Sequence, residues 1–212
     1  MSVIVTIREP TGLISYNFAM QDARASRESL GLWIRENKVY KVFTTLNQYH
    51  RLQTDVSTAD AVALPMGRVV LRGGRVTLPP RTPGGPPRVS SGFIQITPLF
   101  RGTQFTLQHG AGTFMQILSQ LPPDNVEVTK RIVRGCAAAR AIGLQDPQGF
   151  INSAAYDPIV FFDIHTGITP ETGQVRQSAA AEQMFAIAQD AHAVRMETVS
   201  SGAVYYNTYG YR

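Results

Sequence analysis

A chain of 212 residues, 43% hydrophobic and 17% charged, can bury a core and is too apolar for wholesale disorder. One cysteine, Cys136, excludes an intrachain disulfide framework and a cysteine-based zinc site. The formal net charge is +5 and the pI about 9.6. Of the 20 basic residues, Lys38, Lys41 and Lys130 are lysine and the other 17 are arginine. Arginine dominates where a planar fork must pair with phosphate or carboxylate, so a polyanionic partner is expected. A GC-rich coding bias would also raise arginine, and is the plain alternative.

Met1-Ser2-Val3-Ile4 leads into alternation rather than a charged leader, and no apolar run approaches the roughly 18 residues of a membrane span. A soluble, intracellular product with no membrane partner is expected. Ser2 to Ile7 reads as a short strand. Asp22 can cap a helix reaching about Asn37, with Leu30, Trp33 and Ile34 at helical spacing. Lys38 to Leu46, rich in β-branched and aromatic residues, reads as a strand. Val62 to Leu78 reads as a hairpin turning at Gly73-Gly74, with Arg68, Arg72 and Arg75 on an exposed side.

Residues 79–88 hold five prolines and two glycines, which prevents regular structure and predicts an exposed linker or a protruding arm. Phe93 to Thr97 and Thr103 to Leu107 are strand-like. Phe114, Ile117, Leu118 and Leu121 then repeat at i, i+3, i+4 and i+7, the mark of a core-facing helix that Pro122-Pro123 ends. Asp124 or Asn125 can cap the next helix, whose apolar side carries Val128, Ile132, Cys136 and Ala139. Lys130, Arg131 and Arg134 lie opposite, and Gly143 is the expected stop. From about Val175 an alanine-rich helix follows through Ala180, Met184, Ile187, Ala191 and Val194. Thr198 to Arg212 shows no helical pattern and reads as a tail.

No catalytic constellation emerges. His50, His109, His165 and His192 form no metal-binding spacing, so neither metal nor cofactor is expected. Cys136 falls on an apolar helix side, where an inert thiol is commoner than a nucleophile. The chain reads as a non-enzyme. Its best candidate site is the basic helix, where Lys130, Arg131 and Arg134, with Arg140 further along, can track a sugar–phosphate backbone. An ordinary solvated helix face is the competing reading. Aromatic rings are not interleaved with these cations, so recognition without sequence preference is expected.

Thr113-Phe114-Met115-Gln116-Ile117-Leu118, after His109, looks like the Thr-Phe-Arg-Gln-Ile-Met run of potyvirus coat proteins. From His109 to Gln189 the chain resembles the coat proteins of flexuous filamentous plant viruses. Gly143-Leu144-Gln145 is similar to their Tyr-Gly-Leu-Gln, and Thr169-Pro170, Val175-Arg176, Ala180 and Gln183-Met184 resemble their Thr-Pro-Val-Arg helix start. Ala154-Ala155-Tyr156-Asp157 and Phe161-Phe162-Asp163 resemble the potexvirus Ala-Ala-Phe-Asp-Phe-Phe-Asp signature, with Pro158-Ile159-Val160 inserted.

The resemblance implies a capsid subunit that polymerises into a helical filament through arms and packages single-stranded RNA. It would reside in the virion, and in host cytoplasm during assembly. The family's RNA groove uses an Arg and an Asp. The first would fall at Arg140, one position further from Gly143 than the pattern wants. The second would be Asp157, with Asp163 as competitor, in the role of orienting the arginine. The expected fold is α+β: a mainly helical RNA-binding core with a β-rich N-terminal half and extended arms. Its parts are a β-rich and helical region at 1–78, an exposed arm at 79–92, a helical core at 93–197 and a tail at 198–212. A small α+β enzyme or toxin built on Cys136 or a histidine, and a structural protein of a non-filamentous particle, are the rivals.

Overall fold

The computed structural model describes residues 1–26, 29–169 and 171–209, with side chains given through Ser201. It divides into two compact units. Unit 1 comprises Met1–Thr54 and Gly67–Leu99; unit 2 comprises Asp55–Met66 and Phe100–Arg212. Helix and strand are nearly equal, 32% and 31%, which overturns the expectation of a mainly helical core. The helical periodicities were real, but they describe part of one unit.

Unit 1 is a curled antiparallel sheet of β1 (Ser2–Glu9), β2 (Gly12–Ala19), β3 (Gly31–Arg35), β4 (Lys38–Phe43), β5 (Val70–Leu78) and β6 (Arg88–Pro98). The order across it is β2-β1-β5-β6-β4-β3. Alternation sends Val3, Val5 and Ile7 of β1 inward, where they meet Phe18, Trp33, Tyr40, Val42, Val76 and Ile94. Each such side chain contributes about 1.5–3 kcal/mol on full burial. Phe43 and Phe93 stack at 4.3 Å on the opposite face and pack with Tyr49 and Leu52, at the start of α1 (Tyr49–Ala61).

Three local expectations fail in this unit. The helix from Asp22 to Asn37 is instead a 3-10 turn at Met20–Asp22 followed by β3, with 27–28 outside the described residues. Glu36 and Asn37 both take positive φ, 48° and 59°, and so build the two-residue turn that pairs Arg35 with Lys38. That tight turn, with Trp33 buried against Phe18 at 4.9 Å, wins over the helical spacing of Leu30, Trp33 and Ile34. Gly73-Gly74 is likewise no turn. It lies inside the continuous strand β5, and Gly74 faces Gly92 of β6. A Cβ on Gly74 would come within 2.3 Å of the Thr6 carbonyl oxygen, and one on Gly92 within 2.1 Å of that of Phe43. The two glycines let the sheet bend where neighbouring strands press close. The hairpin therefore turns at 79–87, and the proline-rich stretch joins β5 to β6. Third, β2 and α1 appear where no element was expected.

The edges of this sheet are closed by side chains. Trp33 Nε1 donates to the Ala19 carbonyl at 2.8 Å, and Arg35 Nη1 to the Asn17 carbonyl at 2.5 Å. Both acceptors lie on β2, an edge strand that would otherwise leave them open.

Unit 2 holds α2 (Gly112–Gln120), α3 (Val126–Ala141) and α4 (Ala179–Tyr209), with a small antiparallel sheet in the order β7-β8-β9. Its strands are β7 (Thr103–Thr106), β8 (Gln148–Ile151) and β9 (Ile159–Phe161). Phe114, Ile117 and Leu118 of α2, Ile132, Cys136 and Ala139 of α3, and Met184 and Ala188 of α4 form one core with Phe105, Ile151 and Phe161. Gly143, at φ 57°, ends α3: its N–H donates to the Arg140 carbonyl and that of Leu144 to Ala139. The expected tail does not begin at Thr198, because α4 continues through Tyr209; 210–212 lie outside the described residues. Strand β6, including Phe93 and Ile94, belongs to unit 1, and the segment 79–92 lies within that unit.

One buried cation organises the helix ends of unit 2. Arg195 donates Nη2 to the carbonyls of Leu118 (2.6 Å) and Leu121 (2.8 Å), Nε to that of Pro122, and Nη1 to Ala191 on its own helix. The guanidinium adds donors at the C-terminus of α2, where the Leu118 carbonyl also accepts from the Leu121 N–H and the Pro122 carbonyl from the Asn125 N–H, and it complements the negative end of the helix dipole.

Candidate nucleic-acid interface

α3 presents its cations in two separate places. Arg134 stands three residues after Arg131 and four after Lys130, so it shares a face with both. Glu127 stands one turn earlier, 3.3 Å from Arg131 Nε and 3.6 Å from Lys130 Nζ. The Arg131 hydrogen bond, then Lys130, hold the Glu127 carboxyl below its ordinary range. The acid therefore stays ionised and offsets part of the positive charge. Exposed pairs of this kind add little to stability, so the face is free to exchange partners.

Arg131 also reaches away from its helix. Its Nη1 donates to the Tyr156 carbonyl at 2.8 Å, and its guanidinium lies 4.6 Å from the centre of the Tyr156 ring. Tyr156 is 81% exposed, so a large ring stands in solvent beneath a cation. Asp157 follows it and is also exposed. The structure thus gathers Lys130, Arg131 and Arg134 with Tyr156, and sets Asp157 next to them in the chain. Arg134 is exposed and, among the described residues, pairs with no carboxylate. In the sequence Tyr156 stands out only within the potexvirus-like Ala154-Ala155-Tyr156-Asp157 run, and Glu127 carries no role there. Its spacing of four residues before Arg131 was the available signal.

Arg140 does not join them. Nine residues beyond Arg131, it points to the other side of the helix. There its Nε lies 2.8 Å from the Glu182 carboxylate of α4, and its guanidinium sits 5.0 Å from the Phe185 ring. The carboxylate that orients Arg140 is Glu182, rather than Asp157 or Asp163. Asp163 takes φ 51° and accepts from Gln148 Nε2 at 3.5 Å.

The groups considered for chemistry have structural surroundings. Cys136 is fully buried, and burial drives its thiol pKa far above the ordinary value, so a thiolate is strongly disfavoured. His192 Nδ1 lies 2.9 Å from the buried Thr129 hydroxyl, tying α4 to α3. His165 Nδ1 lies 3.9 Å from the buried Asp55 carboxylate. Asp55 also accepts from the Thr166 hydroxyl at 2.6 Å and the Thr166 N–H at 3.1 Å. Burial raises the Asp55 pKa, but the bonds from His165 and Thr166 outweigh it and the net shift is downward. Among the described residues no group of three His, Cys, Asp or Glu side chains could hold a metal ion. No helix of the described residues is long and apolar enough to cross a membrane.

Comparison of the chain with protein-family models, curated proteins and solved structures finds no match.

Proposed function

We propose that this chain binds single-stranded RNA through the α3 face and acts as a coat subunit that packages it without sequence preference. The observation that carries the reading is the Lys130, Arg131 and Arg134 face with Tyr156 exposed beside it. Cations aligned on a helix suit a phosphate track, and an exposed ring accepts any base by stacking. Affinity arises from repetition: weak contacts per subunit, multiplied along one RNA, bind as a unit. The filament geometry rests on the resemblance to flexuous-virus coat proteins, from which this chain departs in its large strand content. Arg140, turned toward Glu182, is a scaffold residue of the α3–α4 pair in this reading.

The test is electron microscopy of purified protein in negative stain, with the ratio of absorbance at 260 and 280 nm on the same fraction. RNase-sensitive, nucleic-acid-rich assemblies are expected. An RNA-free monomer that stays monomeric with added RNA overturns the proposal. The double charge reversal Arg131→Glu with Arg134→Glu should abolish packaging while leaving circular dichroism unchanged. Normal packaging by that variant removes these residues from the interface.

A further inference from the structure

From Ala61 to Pro123 the sequence contains no aspartate, glutamate or lysine, yet six arginines: Arg68, Arg72, Arg75, Arg81, Arg88 and Arg101. Five of them lie on the β5–β6 hairpin, its connecting arm and the approach to it, and all five are exposed. Among the described residues one carboxylate meets them, Glu9, 3.3 Å from Arg72 Nε. Arg68, Arg75 and Arg81 pair with none.

Strand register places part of this charge on one surface. Ser15, Thr6, Arg75 and Ser91 oppose one another across β2, β1, β5 and β6. Val5 and Val76, next to Thr6 and Arg75, point into the apolar interior, so this row faces outward. Thr6 and Ser15 hydroxyls lie 3.2 Å apart within it. Arg8, two residues beyond Thr6, is exposed on the same face. At Gly73 a Cβ would meet nothing within 4 Å, so the surface there is open.

We infer that the outer face of the β5–β6 hairpin, with its arm at 79–87, is a second nucleic-acid contact that grips the phosphate backbone of a single strand. The inference rests on the RNA-binding reading but names a different unit and different residues. An ordinary solvated surface mixes both signs of charge, whereas this one carries guanidinium and hydroxyl groups over both strands and the arm. Guanidinium forks and hydroxyls are the groups that meet phosphate oxygens. No aromatic side chain stands exposed on this face, so it holds backbone rather than bases. A lipid surface fits less well: the apolar side chains exposed on this face, Leu13 and Val89, stand singly on β2 and β6, whereas interfacial binding needs a continuous apolar or aromatic face beside the cations.

The full chain with Arg8→Gln, Arg75→Gln and Arg81→Gln tests this by fluorescence anisotropy with a labelled oligouridine across a salt series. Each phosphate contact on a single strand contributes about 0.7 to the slope of log affinity against log salt. The triple variant should bind at least about tenfold more weakly, with a slope shallower by about 2. If it does not fold, Arg81→Gln alone in the arm should lower the slope by about 0.7. Unchanged affinity and slope, with weakened binding by the α3 double reversal, overturns the hairpin contact and spares the α3 site. No oligouridine binding by the wild-type chain overturns both. Binding to phosphatidylserine vesicles but not to oligouridine also overturns the inference.

Discussion

The two units solve the same problem, carbonyl groups left over at the end of a regular element, with different geometry. In unit 1 the open edge of β2 is met by Trp33 and Arg35 reaching from β3. In unit 2 the open end of α2 is met by Arg195 reaching from α4. A strand edge is long and partly wet, so its two donors each improve a contact that water could also make. A buried helix end meets less water, and there Arg195 reaches the carbonyls of Leu118, Leu121 and Pro122 together. Among the described residues it is the only donor to that of Leu121, whereas the Leu121 and Asn125 N–H groups also reach those of Leu118 and Pro122. Losses should therefore be larger in unit 2 than in unit 1.

The greatest expected effect is Arg195→Ala. The buried Leu121 carbonyl loses its donor and those of Leu118 and Pro122 lose one of two, and urea denaturation should show a loss of about 3 kcal/mol. A change below about 1 kcal/mol would mean that water replaces the guanidinium, and the contrast between the units would collapse. Next comes Gly92→Ala in unit 1, where the new methyl meets the Phe43 carbonyl and comes within 2.7 Å of Val76 Cγ2. A loss of about 2–3 kcal/mol is expected from overpacking against backbone. Gly73→Ala in the same sheet meets nothing and should alter stability by less than about 0.5 kcal/mol. Equal effects at the two positions would show that the sheet does not curl where Gly74 and Gly92 meet.

Asp55→Asn follows, at about 1–2 kcal/mol, from weakening charge-assisted bonds to Thr166 and His165. The folded-state pKa of Asp55 is depressed. Its charged form therefore stabilises the fold above the unfolded value of about 3.9, and that stability is lost as pH falls through the folded value. The gap between wild type and variant, measured by thermal melts, should be full at neutral pH and shrink in acid. A gap constant down to strongly acidic pH would remove the carboxylate charge as its source. Smallest for stability is Glu127→Gln, which should leave the melting temperature unmoved. It should strengthen oligouridine binding several-fold at low salt by freeing Lys130 and Arg131; weaker binding would count against the α3 interface.

The sequence was most legible where one element buries one stripe. Phe114, Ile117 and Leu118 are buried on α2 as their spacing required, and Ile132, Cys136 and Ala139 on α3. Gly143 ends its helix in a left-handed conformation that glycine adopts without the strain other residues meet there. It was least legible where non-local pairing decides. Gly73-Gly74 looks like a turn because local chemistry cannot show that Gly92 waits across the ladder. Leu30, Trp33 and Ile34 fit a helix until Tyr40 and Phe18 supply a sheet interior for Trp33. The site shows the same limit. The cations of α3 were readable from spacing, whereas Tyr156 comes to Arg131 from 25 residues away and Glu182 to Arg140 from 42.

Trp33 is the chain's single tryptophan, and it lies wholly in unit 1, stacked on Phe18 with its indole N–H donating to Ala19. Excited near 295 nm, the protein emits from one place, in an apolar interior shielded from water. A red shift of that emission reports the opening of the curled sheet and nothing of the helices in unit 2. Far-ultraviolet circular dichroism at 222 nm weights those helices instead. Followed together through one denaturant titration, the two signals coincide if the units unfold as one cooperative block. They separate if each unit has its own stability, so the protein carries an optical reporter for half of itself.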